Sequence, residues 1–243
     1  MSLIQTPPSR QFLLTCEHGG NEIPSQYQRL FHAAGEVLQT HQGWDIGALN
    51  LSRELQHALQ APLIFSTTSR LLIDLNRSLS NPELLSSYSR ALSEEERNRL
   101  IASEYTPFRN QVLQHIQSLP GSVQIVHVSV HSFTPVLNGV IRDTDVGILF
   151  DPSRPAESQL SQQWLQEIQN ELPGFQIQLN RPYLGTDDGF TTTLRTRFPE
   201  MRYVGIELEV NQKYLVNPDF ANTIAKHLVQ STRRLLNFPR EKQ

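Results

Sequence analysis

A single cysteine, Cys16, in a chain of 243 residues excludes an internal disulfide framework and any zinc site built on thiolates. A metal here has to be held by His, Asp, Glu or Asn. Charge of neither sign is in excess, because 21 Lys and Arg face 24 Asp and Glu for a formal net charge of −3. Without a cationic surplus to neutralise a phosphate backbone or an anionic lipid surface, nucleic-acid and membrane-surface partners are not expected. No stretch reaches the roughly 20 apolar residues of a membrane-spanning helix, and the N-terminus lacks the charged-then-apolar layout of a signal peptide, so a cytoplasmic protein is expected. Internal repeats and boundary-marking linkers are also missing. With 38% hydrophobic and 19% charged positions, residues 1–243 read as one globular domain.

What is present is an alternation of strand and helix patterns. Residues 12–16 (FLLTC) read as a buried strand running into Glu17-His18-Gly19-Gly20-Asn21, a loop too tight for side chains. Short helical pieces follow Pro24, and Ile46, Leu49, Leu51, Leu55 and Leu59 recur at helical spacing, which puts Asp45 at a helix start. Strands are predicted at 62–66 (PLIFS) and at 71–75 (LLIDL), the latter enclosing a buried-looking Asp74. A surface excursion spans 80–93, and a charged helix follows from 94 to 119. Residues 122–130 (SVQIVHVSV) carry the strongest strand signal and run into His131. Further strands are predicted at 145–150, 175–179 and 204–210, with helices at 158–172 and 220–236. The order predicts an α/β fold with a largely parallel or mixed sheet and helices on both faces. Ligands gather at strand carboxyl ends in such sheets, and the polar clusters fall there.

His18 and His131 each follow an apolar strand, and a shared metal explains two histidines at two strand ends better than coincidence does. His127 points to the same side as His131 and competes with it, although its position inside the strand favours the core. Glu207 and Glu209 lie on one face of a strand otherwise made of Val, Gly, Ile and Leu. A buried strand tolerates carboxylates poorly without compensation, so one of the pair is a candidate general base beside a metal. Arg70, Asp74, Asn76 and Arg77 form a cluster able to clamp a small carboxylate, or else a plain ion pair to Asp74. Cys16 reads as a buried structural thiol, and Trp44 and Tyr214 as packing residues.

The words CEHGGNEIP, HQGWDIGA, SRLLIDLNRS, VSVHS, NRPYLGTDDGF and GIELEVNQKYL, in this order, resemble the N-formylglutamate amidohydrolase family from about Phe12 to Tyr214. The DLNR word with an arginine upstream is also similar to the aspartoacylase and succinylglutamate desuccinylase group of the zinc carboxypeptidase-like (phosphorylase/hydrolase-like) fold. The resemblance implies a three-layer α/β/α hydrolase with one zinc ion per chain. Its substrate would be a small N-acylated acidic amino acid, N-formyl-L-glutamate being the family's named one. It further implies His18 and His131 as ligands, Glu209 as general base, Asn76 with Arg77 as the carboxylate-binding pair and Arg70 beside the substrate carbonyl. The aspartoacylase pattern has a glutamate ligand three residues after its first histidine, where this chain has Asn21. The third ligand is therefore assigned to Asp45, since zinc prefers an anionic oxygen, with Asn21 as the alternative and Glu17 or Glu22 able to swing in. Arg142, in GVIRDTDVG, could meet a side-chain carboxylate or pair with Asp143 or Asp145. Tyr183, Gly185, Asp188 and Gly189 look like a loop lining the cleft. A second substrate in the same class, or a silent carboxylate-binding protein, is the alternative.

Overall fold

The computed structural model describes residues 9–237. Expectations that rest on the first residues of the chain, including the missing signal layout, lie outside the described residues. The elements run β1 (Ser9–Cys16), a 3-10 segment (Ser25–Phe31), α1 (Gly35–Leu38), α2 (Ala48–Leu59), β2 (Leu63–Phe65) and α3 (Glu94–Leu100). A π-helical turn (Ile101–Tyr105) joins α3 to α4 (Thr106–Ser118), after which come β3 (Val123–Phe133), the hairpin β4 (Val136–Leu137) and β5 (Val140–Ile141), and β6 (Val146–Leu149). The chain continues through α5 (Pro155–Glu171), β7 (Ile177–Leu179), α6 (Phe190–Arg197), β8 (Tyr203–Asn211) and α7 (Pro218–Asn237).

Six strands form one sheet in the order β2-β1-β3-β8-β6-β7, parallel throughout except where β6 meets β8. Strand periodicity gives the sheet two unlike faces. On one, Leu14, Val126, Val128, Val130, Ile206 and Leu208 pack against Leu51 and Leu55 of α2, Trp164 and Ile168 of α5 and Leu228 of α7. On the other, Leu13, Ile125 and Tyr203 pack against Val112 and Ile116 of α4 and Phe190 and Leu194 of α6. The expected α/β fold, with a mixed and largely parallel sheet between two helical layers, is the one observed. Toward the strand carboxyl ends the second face turns polar: Thr15 in β1, Ser129 and His131 in β3, Glu207 and Glu209 in β8, all buried.

Three local expectations differ from the structure. Residues 71–75 are not a strand; they form turns, with the Ser69 carbonyl accepting from Leu72 N–H and the Asp74 N–H donating to the Leu84 carbonyl. The run is apolar because Leu72, Ile73 and Leu75 fill the second core, and over five residues a buried turn and a buried strand have the same composition. The 80–93 excursion buries Leu84, Leu85 and Leu92 in that core too. β3 runs on to Phe133, so His131 belongs to the strand instead of following it. The sequence also left unread α6, whose FTTTLRTR lacks an apolar stripe, and the β4–β5 hairpin.

Candidate active site

The loop after β1 lies flat against the segment leaving β2. A Cβ on Gly20 would sit 2.7 Å from the Thr67 carbonyl oxygen, and one on Gly19 would sit 2.8 Å from that of Ser66. Only glycine allows this approach, and the Gly19 N–H donates to the Ser66 carbonyl at 3.0 Å. His18 is thereby held at the sheet's carboxyl edge, 1% exposed. Its own carbonyl accepts from the Asp45 N–H at 3.0 Å, which brings in the segment ahead of α2. Asp45 stands three residues before that helix, with its carbonyl taking the Ala48 N–H. Across the sheet, His131 pairs in register with Glu209 of β8.

These elements bring His18, Asp45 and His131 together, each offering one ligand atom within 4.8 Å of the others. His18 Nε2 lies 2.8 Å from Asp74 Oδ1. A carboxylate only accepts, so Nε2 carries a proton, and Nδ1, 3.4 Å from Asp45 Oδ2, is the nitrogen left free for a ligand when the ring is neutral. His131 Nδ1 approaches the same oxygen at 2.8 Å. Burial opposes charge on His131, but the surrounding carboxylates of Asp45, Glu17 and Glu209 outweigh it and lift the ring to about 10. Asp45 is buried yet held far below the usual carboxylate range by His18, His131 and Arg70. Two imidazole nitrogens and one carboxylate oxygen around a common point are a nitrogen–oxygen donor set that fits a zinc ion.

Glu209 faces this cluster from β8, 6% exposed, and its Oε2 has no partner among the described residues. Burial, aided by Asp45 and Glu207, pushes it up to about 8 against the pull of His131 and Arg70. Glu207, one pleat away, is tied instead to the Thr191 hydroxyl at 2.5 Å. Arg70 bridges Asp45 Oδ1 at 3.2 Å and Asp74 Oδ2 at 2.9 Å. The ion pair read from sequence is therefore present, and Asp74 is shared between Arg70 and His18. Asn76 Oδ1 accepts from the Phe190 N–H at 2.7 Å, fastening the loop to the start of α6. Arg77 donates to the Asp188 carbonyl at 2.6 Å and has no ion pair among the described residues. The carbonyl of Arg77 is gripped in turn by the Tyr105 hydroxyl and by Arg109 Nη2, each at 2.8 Å.

His18, Asp45, His131, Arg70, Asn76, Arg77, Glu207 and Glu209 line one cleft, together with Tyr183 and Asp188. Asn21 is elsewhere: its amide donates to the Leu38 carbonyl at 2.9 Å and to Gln39 Oε1 at 3.1 Å. Glu22 accepts from the Thr67 hydroxyl. Arg142 does not line the cleft; it donates to the Tyr183 hydroxyl at 2.9 Å and stacks over that ring, while Asp145 pairs with Lys213. His127 is in the core, where burial pushes it down to about 4. Sequence reasoning did not find the contact of Asp74 with His18, whose signal was a carboxylate inside an apolar run.

The model of the N-formylglutamate amidohydrolase family matches residues 10–216. No curated protein matches the chain. Among solved structures, a gene product of Agrobacterium tumefaciens is 29% identical, with 95% of this chain and 92% of that one covered and a TM-score of 0.80. A metallo-carboxypeptidase from Burkholderia cenocepacia is 11% identical over 98% of this chain and 59% of that one, with a TM-score of 0.44. Murine aminoacylase 3 is 16% identical over 95% and 66%, with a TM-score of 0.43.

Proposed function

Because the chain belongs to the N-formylglutamate amidohydrolase family, we propose that it is a zinc-dependent hydrolase of N-acylated acidic amino acids, converting N-formyl-L-glutamate to formate and L-glutamate. The observation that supports this most is the convergence of His18, Asp45 and His131 beside the unpartnered Oε2 of Glu209. His18, His131 and Asp45 would hold one zinc ion. When bound, the ion supplies electrophilic polarisation of a carbonyl and acidifies a water molecule. Glu209 takes the proton from the attacking water and returns it to the leaving nitrogen, a shuttle that its free oxygen and raised affinity for protons suit. Arg77 and Asn76 hold the substrate α-carboxylate, and Arg70 lies beside the carbonyl oxygen where negative charge develops. The whole chain, residues 1–243, acts as one domain in this reading.

Arg142 stands behind Tyr183 instead of in the cleft, which favours a second reading with the same chemistry on N-acyl amino acids whose side chain is not acidic. Metal content of the wild type beside His18→Ala, His131→Ala, Asp45→Ala and Asn21→Ala, with hydrolysis of an N-acyl amino acid panel on the same samples, tests both. One zinc per chain, lost in the first three variants and kept in the fourth, is expected. Glu209→Gln should keep its zinc and lose turnover. A wild type that takes up no zinc, or a zinc-loaded Glu209→Gln that still turns over, overturns the proposal.

A further inference from the structure

On the far side of His131 from the cleft, Ser129, Glu17, Thr15, His127 and Tyr203 form a fully buried chain that the proposed reaction does not use. Its direction can be worked out from one member. Each Glu17 oxygen faces a hydroxyl at 2.7 Å, and Oε2 also lies 3.5 Å from His131 Nε2, so the side chain is surrounded by donors. As a carboxylate among donors, Glu17 only accepts. Oε2 takes the Ser129 hydroxyl proton at 2.7 Å, and Oε1 takes that of Thr15 at 2.7 Å. A hydroxyl has one proton to give, so both oxygens are left to accept from the rings beyond them. Ser129 Oγ accepts from His131 Nε2 at 2.8 Å, and Thr15 Oγ1 accepts from His127 Nε2 at 2.8 Å. The Tyr203 hydroxyl then donates to His127 Nδ1 at 2.7 Å, closing the chain with no donor facing a donor. The register that pairs Thr15 with Ser129 across β1 and β3 is what lets one carboxylate reach both hydroxyls.

We propose that Glu17 is a positioning residue for His131: acting through Ser129, it keeps the proton on Nε2, so that Nδ1, which now faces Asp45, is the nitrogen that gives up its proton and offers a lone pair when a metal ion takes the point shared with His18 and Asp45. Asp74 does the same for His18 by direct contact. Outer groups of this kind fix ring orientation and basicity, and their loss typically weakens metal binding about tenfold to a hundredfold. Glu17→Gln replaces an obligate acceptor with a group that also donates, which frees Ser129 to reverse its bond to His131.

The inference rests on the ligand reading above, so the test includes both. Zinc affinity of the full chain is measured by chelator competition for wild type, His131→Ala, Ser129→Ala, Glu17→Gln and Thr15→Val. Long-range proton–nitrogen spectra of the zinc-loaded proteins follow the His131 Nε2 proton. Ser129→Ala and Glu17→Gln should bind zinc at least about tenfold more weakly. Ser129→Ala should also let the Nε2 proton exchange faster with water. Thr15→Val disturbs the same core while leaving the Glu17–Ser129–His131 branch whole, and it should keep both wild-type affinity and the slowly exchanging proton. A Ser129→Ala protein with wild-type affinity, or a Thr15→Val protein that loses as much as Ser129→Ala, overturns the positioning role while the ligand reading stands. If His131→Ala keeps its zinc, the ligand reading falls and this inference with it. Should Glu17→Gln fail to fold, the Ser129→Ala and Thr15→Val pair still decides.

Discussion

Arg70 and Arg77 sit in the same cleft and differ in how far their charge is already neutralised. Arg70 lies between two carboxylates, whereas the partner of Arg77 is a neutral carbonyl, Asp188 O at 2.6 Å. In the proposed reaction an incoming carboxylate would therefore find its counter-charge on Arg77. Arg77→Lys keeps the charge and loses the planar fork, so KM for N-formyl-glutamate should rise about tenfold with kcat moved less. Steady-state kinetics checks this, and an unchanged KM would remove Arg77 from substrate binding. Gly20→Ala places a methyl 2.7 Å from the Thr67 carbonyl oxygen and 2.8 Å from its Cα, where backbone cannot yield cheaply. A loss of roughly 1–3 kcal/mol in stability is expected, with weaker zinc binding as His18 is displaced. Thermal melts and chelator competition read the two effects. His18, His131 and Glu209 were legible because polar residues at the ends of apolar strands stand out. Asn21 was not, because spacing along a tight loop does not tell which way a side chain leaves it.

At the scale of elements, strands that are long and buried on both faces announced themselves, as β3 and β8 did, and period two was enough to put Glu207 and Glu209 on one side. The turns at 71–75 defeated the same reasoning, since nothing local distinguishes five apolar residues plugging a core from five in a ladder. α6 was hidden by its threonines, and it matters to the site because it meets the 76–81 loop at its first turn. Asp188, just ahead of it, accepts from the Ser78 N–H at 3.0 Å, the Ser78 hydroxyl at 3.1 Å and Asn81 Nδ2 at 2.5 Å. Asp188→Ala removes three bonds that tie the 76–81 loop to the start of this helix. A stability loss of about 1–3 kcal/mol and a raised KM are expected together. Denaturant melts beside kinetics would show it, and a normal KM in a destabilised variant would make Asp188 purely structural.

For the whole molecule, the two faces of the sheet divide the work: one is apolar through its middle and carries no buried carboxylate or histidine of the strands, the other passes from core into ionisable groups. Buried charge of this kind costs stability, and Glu209 makes the cost measurable. Its folded value is about 8 against an ordinary 4.5, so between those pH values the folded state holds a proton that the unfolded state has released. Stability attributable to Glu209 therefore falls as pH rises through that window, by at most roughly 1.4 kcal/mol per pH unit. Glu209→Gln has no such titration. Zinc-free Glu209→Gln should match wild type near pH 4.5 and become progressively more stable than it toward pH 8. Parallel melting curves across that range would contradict the burial assigned to Glu209. No helix among the described residues is long and apolar enough to cross a membrane.

The π-helical turn between α3 and α4 has a consequence for how this chain can vary. A widened turn of this sort is what one inserted residue does to an α-helix. Because the extra residue is taken up inside 101–105, α3 and α4 keep their apolar faces on the core at either side of it, and Arg109 keeps its hold on the Leu75 and Arg77 carbonyls beneath the 76–81 loop. Removing one residue from 101–105 would let the turn close to regular winding with Arg109 still in place, so this helix is free to drift in length by that one residue.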